Sequence, residues 1–129
     1  MFHPHHVSLT VRNMATSVQF YSTFGFKVLH TYATADRKRH ISHLRLDSFM
    51  LELFELQPQG ASAPDNNRDI HPIGIHHFAL RTDSITEAHR IVVYYGYECE
   101  KITIGLSGMK YFFVRDPDGI WFEVVEDNR

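Results

Sequence analysis

Two stretches of this chain match each other at a constant spacing of 71 residues, and chemically distinctive side chains fall in register. His6 pairs with His77 and Glu52 with Glu123, while His5 meets His76, Leu9 meets Leu80, Gly25 meets Gly96, Asp47 meets Asp118 and Glu55 meets Glu126, all at offset 71 and without a gap. Self-similarity at a fixed period exposes the repeated supersecondary unit. Only two copies fit in 129 residues, which excludes a solenoid and leaves a doubled module.

A chain of this length is one domain in size and buries roughly two thirds of its unfolded surface. Loop-like composition is confined to residues 58–72, PQGASAPDNNRDIHP, where no apolar period survives. The expected organisation is one domain over residues 1–129, with module one at 5–57, a linker at 58–73 and module two at 74–127. About fifty residues apiece is too small for two independent cores, so the modules are expected to share one.

Each module opens on alternating apolar and polar residues, HVSLTV at 6–11 and HFALRT at 77–82, the period of a strand. A helix follows: Met14, Val18 and Tyr21 recur at helical spacing, matched by Ile85, Ala88 and Val92 or Ile91. Asn13 and Ser84 are the expected N-caps, and Gly25 and Gly96 the left-handed residues that end the helices. Further strands are expected near 27–31, 40–46, 49–56, 97–103, 110–114 and 120–125. Asp116-Pro117-Asp118-Gly119 and Asp47-Ser48 supply the turns before the last strand of each module. Each module therefore reads β-α-β-β-β. The fold class is α+β with mainly antiparallel sheet, because those turns are too short for a crossover.

Side-chain parity identifies which residues share a face. His6, Ser8 and Thr10 point away from the apolar Val7, Leu9 and Val11, which the helix must cover. Glu52 shares its strand face with Met50, Phe54 and Leu56, and Glu123 shares its face with Val125. An unpaired carboxylate among apolar neighbours carries a large desolvation cost, which a divalent cation removes. Two imidazoles and two carboxylates repeated in register thus point to a metal held by His6, Glu52, His77 and Glu123. Zn, Ni, Fe(II), Mn or Co suits such donors, with water completing the shell.

Other signals are weaker. Glu55 and Glu126 repeat, but parity turns them away from Glu52 and Glu123, so they read as surface charges. His5 and His76 lie opposite His6 and His77, as outer residues of the site or exposed ones. His30, His40, His43, His71 and His89 have no repeat support. Cys99, whose mate is Val28, reads as a small core residue.

Net charge of −2 gives no electrostatic case for nucleic acid or an anionic membrane as partner. A single cysteine cannot form an internal disulfide, so a reducing, cytoplasmic setting is expected. The first residues lack a secretory pattern, and no apolar run approaches the ~20 residues that span a bilayer.

With these residues in place, the chain resembles the vicinal oxygen chelate superfamily, which includes glyoxalase I, extradiol dioxygenases, fosfomycin-modifying enzymes and bleomycin-binding proteins. The matching text is HHVSLTVRNMATSVQFYSTFGFKV, LELFEL, IHHFALRTDSITEA and FFVRDPDGIWFEVVE, nearly the whole chain. The resemblance implies two βαβββ modules whose sheets curl around a metal cleft, a small-molecule substrate and a homodimer. It carries the ligand role onto His6, Glu52, His77 and Glu123, a set most like that of glyoxalase I and its small bacterial relatives. By the same analogy Glu123 is the catalytic base, with Glu52 assisting or staying bound, in a lyase or isomerase reaction through an enediolate. Zn or Ni is then the favoured metal.

The chain departs from glyoxalase I where glutathione is recognised. An Arg four residues after the first ligand is replaced by Thr10, and an Asn four after the first Glu by Leu56. Arg81, four after His77, is the pseudo-symmetric counterpart of Thr10 and is expected to receive an anionic group of another substrate. An Fe(II) dioxygenase using His6, His77 and Glu123, and a non-catalytic binding or resistance protein, are the alternatives.

Overall fold

The computed structural model describes residues 1, 3–56 and 74–127. The linker at 58–73 and His71 lie outside the described residues. Contacts cluster into two compact units, Met1–Ser62 and Ala63–Arg129, and each unit is a βαβββ module with a four-stranded mixed sheet.

The first unit contains β1 (His6–Val11), α1 (Met14–Ser22), β2 (Lys27–Ala33), β3 (Arg39–Leu46) and β4 (Phe49–Leu56), with sheet order β1-β4-β3-β2. β1 joins β4 in parallel, and the other two pairings are antiparallel. The second unit repeats this with β5 (Ala79–Thr82), α2 (Ile85–Tyr94), β6 (Thr103–Ile104), β7 (Lys110–Arg115) and β8 (Trp121–Glu126), in the order β5-β8-β7-β6. Here too the first and last strands pair in parallel. The strand expected at 97–103 shrinks to Thr103–Ile104 plus a single bridge from Cys99 to Val114.

Both helices start as their capping residues dictate. Asn13 is extended and its side-chain oxygen accepts from the Thr16 N–H at 2.9 Å; Ser84 does the same for Glu87 at 3.3 Å. Gly25 (φ +100°) and Gly96 (φ +74°) take the left-handed conformation just past the helix ends. The stripe α1 buries is Ser17, Phe20 and Tyr21, rotated from the expected Met14–Val18–Tyr21 face, and both Met14 and Val18 are half-buried. In α2, Val92 rather than Ile91 completes the buried stripe.

α1 packs on β3 and β4, and α2 on β7 and β8. Beneath them lie Leu44, Leu51 and Leu53 in the first unit and Phe112, Val114, Phe122 and Val124 in the second, all 4% exposed or less. Burying each of these is worth about 1.5–3 kcal/mol. Leu51 and Leu53 face the helix, so Glu52 between them must face away. The same alternation places Glu123 between Phe122 and Val124.

The repeat is not gapless in space. Leu46 pairs with Phe49 across the two-residue Asp47-Ser48 turn, with Asp47 left-handed at φ +52°, whereas Arg115 pairs with Trp121 across a longer loop. In that loop the buried Asp116 carboxylate accepts from the Asp118 and Ile120 N–H groups, and Gly119 (φ +87°) supplies the left-handed residue. β8 keeps the 71-residue offset from β4, but β7 slips one residue relative to β3. Phe113, not Val114, therefore stands where His43 stands.

Candidate functional site

Strand register assembles a His–Glu pair in each unit. In the first unit Glu52 lies between two strands: Ser8 is its neighbour on β1 and His43 its neighbour on β3. The Ser8 hydroxyl donates to Glu52 Oε1 at 2.7 Å, and His43 Nε2 lies 2.7 Å from Oε2. His6 Nε2 stands 3.4 Å from Oε1. The Ser8 hydrogen bond holds the Glu52 carboxyl below the usual glutamate range. Partial burial opposes this, and the His43 hydrogen bond and the nearby imidazoles reinforce it.

In the second unit His77 Nε2 lies 3.0 Å from Glu123 Oε2. The flanking positions differ, because Ala79 replaces Ser8 and Phe113 replaces His43. Neither can donate a hydrogen bond from its side chain. Among the described residues, the side-chain partner of the Glu123 carboxylate is His77 alone. The Phe113 ring, 4% exposed, packs edge-on against His77 with centroids 4.9 Å apart.

Each histidine of a pair is tethered by the residue before it. His5 and His6 meet Nδ1 to Nδ1 at 2.8 Å, and His76 and His77 at 2.6 Å. Two facing ring nitrogens form a hydrogen bond when one of them carries a proton and the other a lone pair. With that proton on His6 and on His77, each Nε2 presents a lone pair to a carboxylate oxygen. Such a pair is repulsive without a cation between the atoms. Metal bonds of about 2.0–2.2 Å place cis donors about 3 Å apart at a right angle and about 3.4 Å apart at the tetrahedral angle. The observed 3.0 and 3.4 Å match those spacings. Each pair thus offers one nitrogen and one oxygen donor, a chemistry that suits a divalent ion. An Nε2 proton fills the same role in its absence.

The structure thus brings the expected ligands together as two pairs, His6 with Glu52 and His77 with Glu123. Among the described residues no group of three or more His, Cys, Asp or Glu side chains gathers as a metal-holding cluster. In the first unit His6 and His43 address different oxygens of Glu52. The repeat alone gives His43 no role, because offset 71 aligns it with Val114. The two-residue Asp47-Ser48 turn carried the missing signal: pairing Leu46 with Phe49 sets His43 opposite Glu52.

Three other expectations change or sharpen. Glu55 and Glu126 are not mere surface charges. The Glu55 carboxylate accepts from the Met14 N–H, and that of Glu126 from the Ile85 N–H at 2.7 Å, each at the first residue of its helix. There they satisfy orphan donors and favour the positive helix end, which explains their repetition. Arg81 stands beside Val125 with its guanidinium 3.5 Å from the Asp83 carboxylate, and both side chains are largely exposed. Cys99 is half-buried and burial pushes its thiol above the ordinary range, which leaves it a poor nucleophile. Among the described residues no helix is long and apolar enough to cross a membrane.

Comparison with known proteins agrees with this architecture. A sequence profile of the Glyoxalase/Bleomycin resistance protein/Dioxygenase superfamily matches residues 3–124. A glyoxalase family protein from Enterococcus faecalis is 27% identical with TM-score 0.82, the match covering 96% of this chain and 97% of that one. A glyoxylase/bleomycin resistance protein/dioxygenase domain from a Frankia species is 22% identical with TM-score 0.79, covering 99% of each. A mutant glyoxalase I from Zea mays is 21% identical with TM-score 0.77, covering 93% of this chain and 43% of that longer one. The last two establish likeness of fold. No curated protein matches the chain.

Proposed function

Because the chain belongs to the glyoxalase/bleomycin resistance protein/dioxygenase superfamily, we propose that it is a metal-dependent lyase or isomerase of glyoxalase type. In this reading His6, Glu52, His77 and Glu123 hold one divalent ion, Zn or Ni by preference, whether the two pairs come from one chain or from two copies. The observation that carries it is the repeated His Nε2–Glu carboxylate contact, at 3.4 and 3.0 Å, with each histidine tethered through Nδ1. Tethered ligands of this kind are pre-oriented.

When bound, such an ion supplies Lewis-acid stabilisation of the charge that develops as a proton leaves carbon next to a carbonyl. The chain's own residues divide the remaining work. Glu123, with His77 as its side-chain partner, is the carboxylate able to accept and return that proton. Glu52, held by Ser8 and His43, remains anionic and in place. Arg81 supplies a cation for an acidic substituent on a small substrate with neighbouring oxygens. Thr10 and Leu56 offer no charged anchor for glutathione, which favours a substrate other than its hemithioacetals. A cytoplasmic location and pairing of two copies belong to the same proposal.

Metal analysis of the purified protein is the first test, followed by a methylglyoxal–glutathione assay and a wider set of 2-oxoaldehydes and 2-hydroxyketones. Zn or Ni at one per site, with proton exchange beside a carbonyl, is the expected result. Stoichiometric Fe with ring cleavage of a catechol, or a protein that retains no divalent metal, would overturn it.

A further inference from the structure

The two halves of the site match in His and Glu but not in what surrounds the carboxylate, and this difference has a chemical meaning. His43 faces Glu52 directly across the β3–β4 ladder, with Nε2 2.7 Å from Oε2 and its side chain 24% exposed. Its ring is braced edge-on by Tyr32, 5.5 Å between centroids, and Tyr32 leans in turn on His30 at 6.0 Å. Phe113 takes the equivalent place opposite Glu123 and offers no polar atom. We propose that His43 is the positioning residue that makes the two carboxylates unequal: it holds Oε2 so that Glu52 stays a fixed ligand, leaving proton movement to Glu123.

This rests on the metal-dependent reading above and assigns that site a residue outside the four His and Glu ligands. A carboxylate gripped at Oε2 by His43 and at Oε1 by Ser8 has both oxygens committed to fixed directions. Rotation or dissociation of Glu52 would break a hydrogen bond. The same motion of Glu123 costs no comparable bond beyond its contact with His77. Converting His43 to phenylalanine copies the Phe113 position into the first half-site, so that Oε2 loses its partner and the Ser8 bond to Oε1 alone restrains Glu52.

The test uses the whole purified chain and Co(II) alone, whose visible absorption reports the number and geometry of its ligands. His43→Phe is expected to weaken Co(II) affinity about 10–100-fold, the usual cost of losing a group that orients a ligand, and to alter the absorption band. His43→Gln keeps an N–H able to donate to Oε2 and should recover most of the affinity and the original band. A His43→Phe protein with unchanged affinity and spectrum overturns the assignment while leaving the metal reading intact. So does a His43→Gln protein as weak as His43→Phe. Failure of the native chain to bind Co(II) removes the metal reading and this proposal together.

Discussion

Glu52 and Glu123 occupy the same point in two copies of one module, yet they are held differently. Glu52 is approached by His6, Ser8 and His43, whereas Glu123 meets only His77 among the side chains described. The His–Glu pair and its histidine tether repeat; the flanking strand neighbours do not. A doubled fold can therefore repeat the same donor pair while surrounding its two carboxylates differently. In the proposed reaction, that asymmetry leaves Glu123 the freer of the two to carry the proton.

The sharpest way to break this comparison is to neutralise each carboxylate in turn. Glu123→Gln is expected to lower kcat by roughly 10²–10⁴-fold, the range for removing a general base. Glu52→Gln should weaken metal retention more than turnover of the loaded protein. Steady-state kinetics with parallel metal analysis checks both, and a reversed order would exchange the proposed roles.

Next come the equivalent core positions. Leu51 and Phe122 lie at offset 71, and both are fully buried beneath their helices. Phe122→Ala should cost about 3–5 kcal/mol and Leu51→Ala about 2–5 kcal/mol in denaturant unfolding. The histidine tethers test what the halves share. His5→Phe and His76→Phe should each reduce metal affinity by about 10–100-fold and by similar factors, read by competition with a chromophoric chelator.

Helix-end carboxylates give a smaller effect. Glu55→Gln and Glu126→Gln each remove a charge from a helix N-terminus, and a loss of about 0.3–1 kcal/mol is expected in thermal unfolding. The smallest effect separates Ser8 from Ala79. The Ser8 hydrogen bond leads the lowering of the Glu52 carboxyl, so its stabilisation is present above the ordinary glutamate range and is lost as pH falls through the lowered one. Ser8→Ala should move the Glu52 titration, followed by NMR, upward toward that ordinary range.

Much of this was legible in the residues. Alternation in HVSLTV and LELFEL fixed which face carries His6 and Glu52, and the paired glycines marked both helix ends. Parity also showed that Glu55 and Glu126 turn away from the site, but not that a helix N-terminus waits on that side. Their role depends on how α1 and α2 seat on their sheets, a packing outcome rather than a local pattern. His43 was hidden for a different reason. The one-residue slip between the two hairpins lies in the turns, so a single offset aligned His43 with a buried valine. The buried α1 stripe departs from the apolar spacing because it includes Ser17, a small polar residue that apolar periodicity does not register.

The central claim is that both His–Glu pairs grip the same divalent ion, and a crystal structure of Zn- or Ni-loaded protein with anomalous scattering tests it most directly. One anomalous peak within about 2.0–2.2 Å of His6 Nε2, His77 Nε2 and the carboxylates of Glu52 and Glu123 is the predicted result. A peak bound by one pair alone, or metal found only on other histidines, would contradict it.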